Sequence, residues 1–335
     1  MTSENERLLK NIKEEKTVNQ ISLDMNISNK KIFQRIKNLS VNGYSFSRQY
    51  YYNGDIKYIL NKSFNDDDLT NRIIMDNEKN IFQALVVSDL HLGSCLERLD
   101  CLNLMYDYCI KNDIHIIVNA GDLINGMFGC PNNICSYEEQ ARYLLKNYPF
   151  DKNILNFVTL GNHDADSLFS SGLDLAKILY YNRHDIVPLG YASGKIDVKG
   201  ESILIKHRIK SQQSNNSNLE NDSSFLTLNG HLHKFTGNLN IYVPSLSDIV
   251  LENASNTIPS FLKLQITFSG HMASLVDVEQ LIVSNNKISV IGDTTLYVST
   301  KTKSENTKQS NKQSNSNPPR NKTLERVKNK YIGKH

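Results

Sequence analysis

The chain has 335 residues, 39% of them hydrophobic and 22% charged, with a formal net charge of +3, long enough to bury a full α/β core and carry an accessory domain. It contains no apolar run that could span a bilayer, and its start, MTSENERLLK, lacks the apolar stretch of a signal peptide, so a cytoplasmic protein without a membrane role is expected. The charge is unevenly spread, with 11 Lys/Arg against 6 Asp/Glu in residues 1–63, 10 against 2 in residues 301–335 and 17 against 27 between them; basic ends flanking an acidic centre suit a partner with a phosphate backbone.

In chain order the first pattern is TVNQISLDMNISNKKIFQRIKNL, residues 17–39. Val18, Ile21 and Met25, then Ile27, Ile32, Ile36 and Leu39, fit two short helices separated by a turn around Asn26 to Ser28, with Ser28 capping the second. YSFSRQYYYNGDIKYIL follows, two β-rich arms around Asn53-Gly54, the signal of a tight hairpin. Helix, turn, helix, hairpin is the order of a winged helix-turn-helix, and residues 1–63 resemble that family. The resemblance implies DNA binding through a recognition helix offering Lys30, Lys31, Arg35 and Lys37 and a wing offering Arg48. A protein-interaction or dimerisation module of the same shape is the alternative. Residues 64–80, which contain the acidic stretch FNDDDLTN, read as a linker.

From residue 81 to about 300 apolar strands alternate with helical patterns: LVVSD, a helix near 96–112, IHIIVNAGD, a helix near 136–147 opened by the capping-box pair Ser136 and Glu139, then ILNFVTLGN. Such alternation predicts a layered α/β domain with its ligands beyond the carboxyl ends of strands. In VSDLHLGS, Asp89 and His91 stand one residue apart at such an end. Residues i and i+2 of an extended chain point to one side, so both can reach one object. Carboxylate with imidazole suits a divalent transition metal, although for this stretch alone a helix cap beside a solvated loop histidine is the preferred reading. Gly121 and Asp122 follow the next strand, Asn162, His163 and Asp164 the third, His207 ends ILIKH, and His231 and His233 end LTLNGHLH. Five strands thus deliver ligand-type residues at the same end, a coincidence hard to obtain by chance. His115, His184 and His271 read as structural or turn residues, and the five cysteines, which lack zinc-ribbon spacing, as reduced thiols.

The blocks DLH, GD, GNHD, H and GHLH, in that order over residues 81–300, resemble the signature of the calcineurin-like metallophosphoesterases. The resemblance implies a four-layer α/β/β/α sandwich of two mixed sheets, with a dinuclear metal centre at one edge. Asp89, His91 and His233 would hold one ion, Asn162, His207 and His231 the other, and Asp122 would bridge them. His163 would serve the leaving oxygen as proton or hydrogen-bond donor, with Asp164 orienting its imidazole. A donor set of Asp, Asn and His without Cys favours Mn²⁺, Fe²⁺ or Zn²⁺, with Mn²⁺ the first choice. One departure is GDLIN, where the family commonly has GDxxD; Asn125 there implies altered hydrogen bonding around the ligands rather than loss of metal. The implied activity is phosphoester hydrolysis. Joined to a winged helix and to a basic, mostly disordered tail at 301–335, it points to a phosphodiesterase or nuclease acting on DNA. The alternative is a phosphatase or phosphodiesterase acting on a small molecule or phosphoprotein, with the N-terminal module docking protein. Oligomeric state is not readable from these patterns.

Overall fold

A computed structural model of the chain describes residues 3–61, 71–76, 78–127, 132–208, 223–236, 238–249 and 258–298, all inside one compact unit, Met1–Ser299. The tail at 301–335, Cys130 and the acidic residues Asp66 to Asp68 lie outside the described residues.

The chain begins with α1 (Ser3–Lys13), a helix the sequence reading did not name, followed by α2 (Val18–Met25) and α3 (Asn29–Val41). Thr17 caps α2 through a reciprocal box with Gln20, whose side-chain oxygen accepts from the Thr17 N–H at 2.9 Å. Asn26 then turns left-handed at φ 53°, and the Ser28 hydroxyl accepts from the Lys31 N–H to open α3. β1 (Phe46–Tyr51) and β2 (Ile56–Leu60) form an antiparallel hairpin in which Arg48 lies opposite Tyr58. A short strand, β3 (Arg72–Ile74), falls within the segment expected to be a plain linker. Its central residue, Ile73, is 1% exposed, and burying such a side chain stabilises by about 1.5–3 kcal/mol.

Next come β4 (Ile81–Val87), α4 (Leu99–Lys111), β5 (Ile116–Asn119), α5 (Tyr137–Asn147) and β6 (Leu155–Leu160). They are followed by α6 (Asn162–Ser171), α7 (Leu175–Asn182) and β7 (Ile186–Tyr191). The remaining strands are β8 (Ser193–Val198), β9 (Glu201–Lys206), β10 (Leu226–Asn229), β11 (Asn240–Tyr242), β12 (Ser260–Ser269), β13 (Met272–Ser284) and β14 (Lys287–Tyr297). Two seven-stranded sheets result, with seven helices among the described residues. The first runs β14-β13-β12-β4-β5-β6-β7, parallel from β4 to β7 and antiparallel beyond β4. The second runs β11-β10-β9-β8-β3-β1-β2.

Period-2 alternation along β4 divides the core. Ala84 and Val86 join a cluster with Ile203, Ile205 and Leu228 of the second sheet. Leu85 and Val87 join another with Leu102 and Met105 of α4, Leu144 of α5 and Leu179 of α7. The N-terminal hairpin is part of the second sheet, because β3 pairs in parallel with both β1 and β8. Its tip presses on the rest of the molecule at Gly54, where φ is +80° and a Cβ atom would lie 1.8 Å from the Asn153 carbonyl oxygen. No helix among the described residues is long and apolar enough to cross a membrane.

Candidate metal centre

The loops that leave β4, β5, β6, β9 and β10 converge at one end of the sheets. Asp89, His91, Asp122, His231 and His233 all have positive φ, between 46° and 79°. Left-handed backbone at non-glycine residues costs free energy and is kept where the surroundings enforce it. Gly161 is enforced too, because a Cβ there would fall 2.2 Å from Asp122 Oδ1.

Asp89 is fully buried. Its Oδ1 lies 3.1 Å from His233 Nε2 and its Oδ2 accepts from the His231 N–H at 3.1 Å. Asp122 accepts the His163 N–H through Oδ1 at 2.9 Å and faces His207 Nε2 through Oδ2 at 3.0 Å. His91 Nε2 stands 3.8 Å from Asp89 and 3.9 Å from Asp122. Both ring nitrogens of His91 are buried without a hydrogen-bond partner. Asn162 opens α6 and places Oδ1 3.1 Å from His231 Nδ1. Backbone carbonyls orient two imidazoles from behind: Ala120 holds His207 Nδ1 at 2.6 Å and Ile249 holds His233 Nδ1 at 3.1 Å.

The electrostatics follow from burying two carboxylates among histidines. Burial opposes ionisation of Asp89, but His233, His207 and His91 hold its carboxyl well below the ordinary range. The same contest, with His207 the main partner, brings Asp122 down to about 2. Burial depresses His91 to about 4. Burial also works against the charge on His207, which Asp122 nevertheless raises to about 10. The carboxylates are thus ionised at neutral pH and ready to ligate.

The donor atoms sort into three groups, Asp89 with His91 and His233, His91 with Asp122 and His163, and Asp122 with His207 and His231, each with its atoms within 4.8 Å of one another. Two carboxylates beside imidazole nitrogens that are buried and unpaired fit divalent ions, because a buried imidazole nitrogen without a partner is costly and ligation satisfies it. All seven residues expected as ligands meet here.

The two residues expected to act on the leaving group part company. His163 is held by the Asn125 carbonyl, 2.5 Å from its Nδ1. Asp164 does not orient that ring: its carboxylate accepts three backbone N–H groups, from Leu123, Ile124 and Gly161, at 3.1, 3.0 and 2.9 Å. It therefore ties the β5 and β6 loops together. Burial and then Asp122 raise Asp164 to about 7, against the pull of those amides. Sequence reasoning missed Ser245, whose hydroxyl donates to the Asp89 carbonyl at 3.0 Å; a serine in PSLSD carries no signal for that contact.

The five basic residues expected at a nucleic-acid surface have different surroundings. Lys30 and Lys31 are exposed on α3. Arg35 pairs with Glu4 and donates to Asn5 Oδ1 at 3.2 Å, and Lys37 donates to Asn182 Oδ1 at 3.1 Å. Arg48 is turned inward against α7, its guanidinium 4.0 Å from the Tyr180 ring centroid, so the expectation that it projects from a wing is corrected. The cause is the shared sheet, which presses the hairpin onto α7 and leaves no free wing.

Comparisons with known proteins give three results. The family model described as calcineurin-like phosphoesterase matches residues 82–275, more than half of the chain. No curated protein matches. Solved structures similar to the chain include Vacuolar Protein Sorting 29 from Cryptosporidium parvum, at 14% identity and TM-score 0.37, covering 64% of this chain and 97% of that one. Zinc-complexed Vps29 from Entamoeba histolytica has 14% identity and TM-score 0.36, covering 63% and 98%. The nuclease MPE of Pseudomonas putida has 12% identity and TM-score 0.32, covering 62% and 87%.

Proposed function

The chain belongs to the calcineurin-like phosphoesterase family, and on that premise we propose that it is a dinuclear-metal-dependent phosphodiesterase whose substrate is DNA. The observation that carries the metal-dependent part is the buried imidazole of His91, both of whose nitrogens lack a hydrogen-bond partner, beside the Asp89 and Asp122 carboxylates. In this reading Asp89, His91 and His233 hold one ion, Asn162, His207 and His231 the other, and Asp122 serves both. Bound divalent ions supply Lewis-acid polarisation of phosphate and a water acidic enough to attack it at neutral pH. Mn²⁺ suits the donors, as do Fe²⁺ and Zn²⁺.

The remaining steps belong to the chain. The Asn125 carbonyl holds His163 at Nδ1, and in this reading the imidazole passes a proton to the departing oxygen. Asp164 keeps the loops bearing Asp122 and His163 in register through its three amide contacts. Burial of Asp89, Asp122 and His207 limits water around the reacting phosphate, which strengthens each charge interaction.

DNA as substrate is supported by the helix-turn-helix-hairpin order of residues 3–61, read here as a winged helix-turn-helix-like module, and by exposed Lys30 and Lys31. A second reading is favoured by the engagement of Lys37 and Arg48 with α7: the module is then a fixed part of the hydrolase and the substrate a smaller phosphodiester. Hydrolysis rates on DNA, RNA, a bis-aryl phosphodiester and a monoester, measured with and without chelator, decide between them. DNA cleavage that chelation abolishes supports the first reading. Diester hydrolysis with intact DNA supports the second, and chelator-resistant turnover overturns both.

A further inference from the structure

A small cleft of about 30 Å³, open to solvent, lies at the seam where β1, β2 and α3 meet α7, on a different part of the chain from the metal ligands. Its lining includes Lys37, Ser40, Arg48, Tyr180, Tyr181 and His184. Arg48 is its unusual member. The guanidinium lies 4.0 Å from the Tyr180 ring centroid and 5.7 Å from that of Tyr58, and Nη2 donates to the Tyr180 carbonyl at 3.1 Å. Nη1 is buried and has no hydrogen-bond partner. Among the described residues no ion pair includes Arg48 or Lys37, and the groups that bear on the Arg48 charge are tyrosines.

Buried guanidinium groups are ordinarily paired with an anion, because two aromatic faces, the Tyr180 carbonyl and the neighbouring Tyr50 hydroxyl offset only part of the desolvation. Lys37 adds a second cation at the same cleft. His184 does not add a third: burial, then Arg48 and Lys37, push it down to about 3, so it is neutral. The described lining therefore carries two positive charges and no carboxylate.

We propose that this seam cleft binds a phosphate oxyanion, with Arg48 Nη1 as the buried donor, Lys37 as the second cation and the Ser40 hydroxyl as a neutral donor. A guanidinium fork matches tetrahedral oxyanions, and a lysine beside it adds attraction without demanding geometry. The phosphate is either free or the terminal group of a mononucleotide, for which Tyr181, 52% exposed, offers a ring face. Because its donors come from β1 and α3 while its wall is α7, the bound anion clamps the N-terminal module onto the domain that carries the metal ligands.

Isothermal titration of the full chain with inorganic phosphate and with deoxyadenosine monophosphate tests this, once with divalent metal present and once after chelation, so that phosphate at the metal centre is separated from phosphate at the seam. One phosphate per chain should bind after chelation, weaken with added salt, and lose about ten-fold or more in affinity in Lys37→Gln and in Arg48→Gln. Thermal unfolding without phosphate checks that each variant folds; Lys37, exposed, keeps the test decisive if Arg48→Gln does not. Tighter binding of the mononucleotide, with the gain lost in Tyr181→Ala, assigns the mononucleotide as the source. Equal affinities assign free phosphate. No binding after chelation, or unchanged binding in folded Lys37→Gln, overturns the proposal.

Discussion

His163 and Asn125 meet through a ring nitrogen and a main-chain carbonyl, Nδ1 to O at 2.5 Å, so the imidazole is oriented by backbone rather than by a neighbouring carboxylate. His163→Ala should then lower turnover by about 10²–10⁴-fold, the range for a general acid, with metal content near that of the wild type. Asn125→Ala should leave turnover far less affected, because the carbonyl persists. Metal analysis and steady-state kinetics on both variants check this. If His163→Ala loses metal as severely as Asp122→Ala, the imidazole is a ligand and not a proton donor.

Asp164 is expected to matter for stability before chemistry. Removing its carboxylate leaves the N–H groups of Leu123, Ile124 and Gly161 without their acceptor, at about 1–3 kcal/mol for each donor left buried and unpaired. Asp164→Ala should unfold at markedly lower denaturant and bind metal less well. A variant as stable as the wild type would show that water replaces the carboxylate.

The seam has its own pH dependence. His184 stacks on Phe33 with ring centroids 4.4 Å apart and is hydrogen-bonded through Nδ1 to the Tyr58 hydroxyl at 2.7 Å. Burial, followed by Arg48 and Lys37, lowers it from 6.5 to about 3. Since the folded value lies below the unfolded one, its contribution is fully present above pH 6.5 and is lost as pH falls toward about 3, at ~1.4 kcal/mol per unit. Urea unfolding at pH 7, 5 and 4 should show a shallower acid decline for His184→Phe than for the wild type. Parallel declines would place the acid sensitivity elsewhere.

For DNA binding, Lys30 and Lys31 are exposed on α3, whereas Lys37, also exposed, is engaged with Asn182. A Lys30→Ala, Lys31→Ala double variant should weaken duplex binding and reduce the log–log salt slope by about 0.9 per lost phosphate contact. Fluorescence anisotropy titrations over a range of salt measure both. Unchanged affinity and slope would remove α3 as a duplex-binding element and favour the smaller substrate.

The metal ligands were legible in the sequence because each sits in a short block at a strand end, where apolar alternation stops and a donor follows: SDLH after β4, AGD after β5, GNHD after β6. The α3 cap at Ser28 and the hairpin around Gly54 were legible for the same local reason. Contacts made through backbone atoms were not. The Asn125 carbonyl behind His163 and the Ala120 carbonyl behind His207 have no side-chain signature. Nor was the burial of Arg48, since a strand in which Arg48 stands beside Gln49, Tyr50 and Tyr51 reads as an exposed wing until β3 joins it to the larger sheet. His184 lies in a turn, as the sequence suggests, but its burial was not legible because its partners, Tyr58 and Phe33, lie far away in sequence.

The central claim is that Asp89, His91, Asp122, Asn162, His207, His231 and His233 together hold two divalent ions that the hydrolysis requires. The most direct measurement is the metal-to-protein ratio of the purified chain and of Asp122→Ala, taken alongside hydrolysis of a bis-aryl phosphodiester before and after chelation. The account predicts two equivalents of metal in the wild type, activity lost on chelation and restored by Mn²⁺, and both metal and activity lost in Asp122→Ala. Full activity in metal-stripped protein, or an Asp122→Ala variant that retains both metal and turnover, would contradict it.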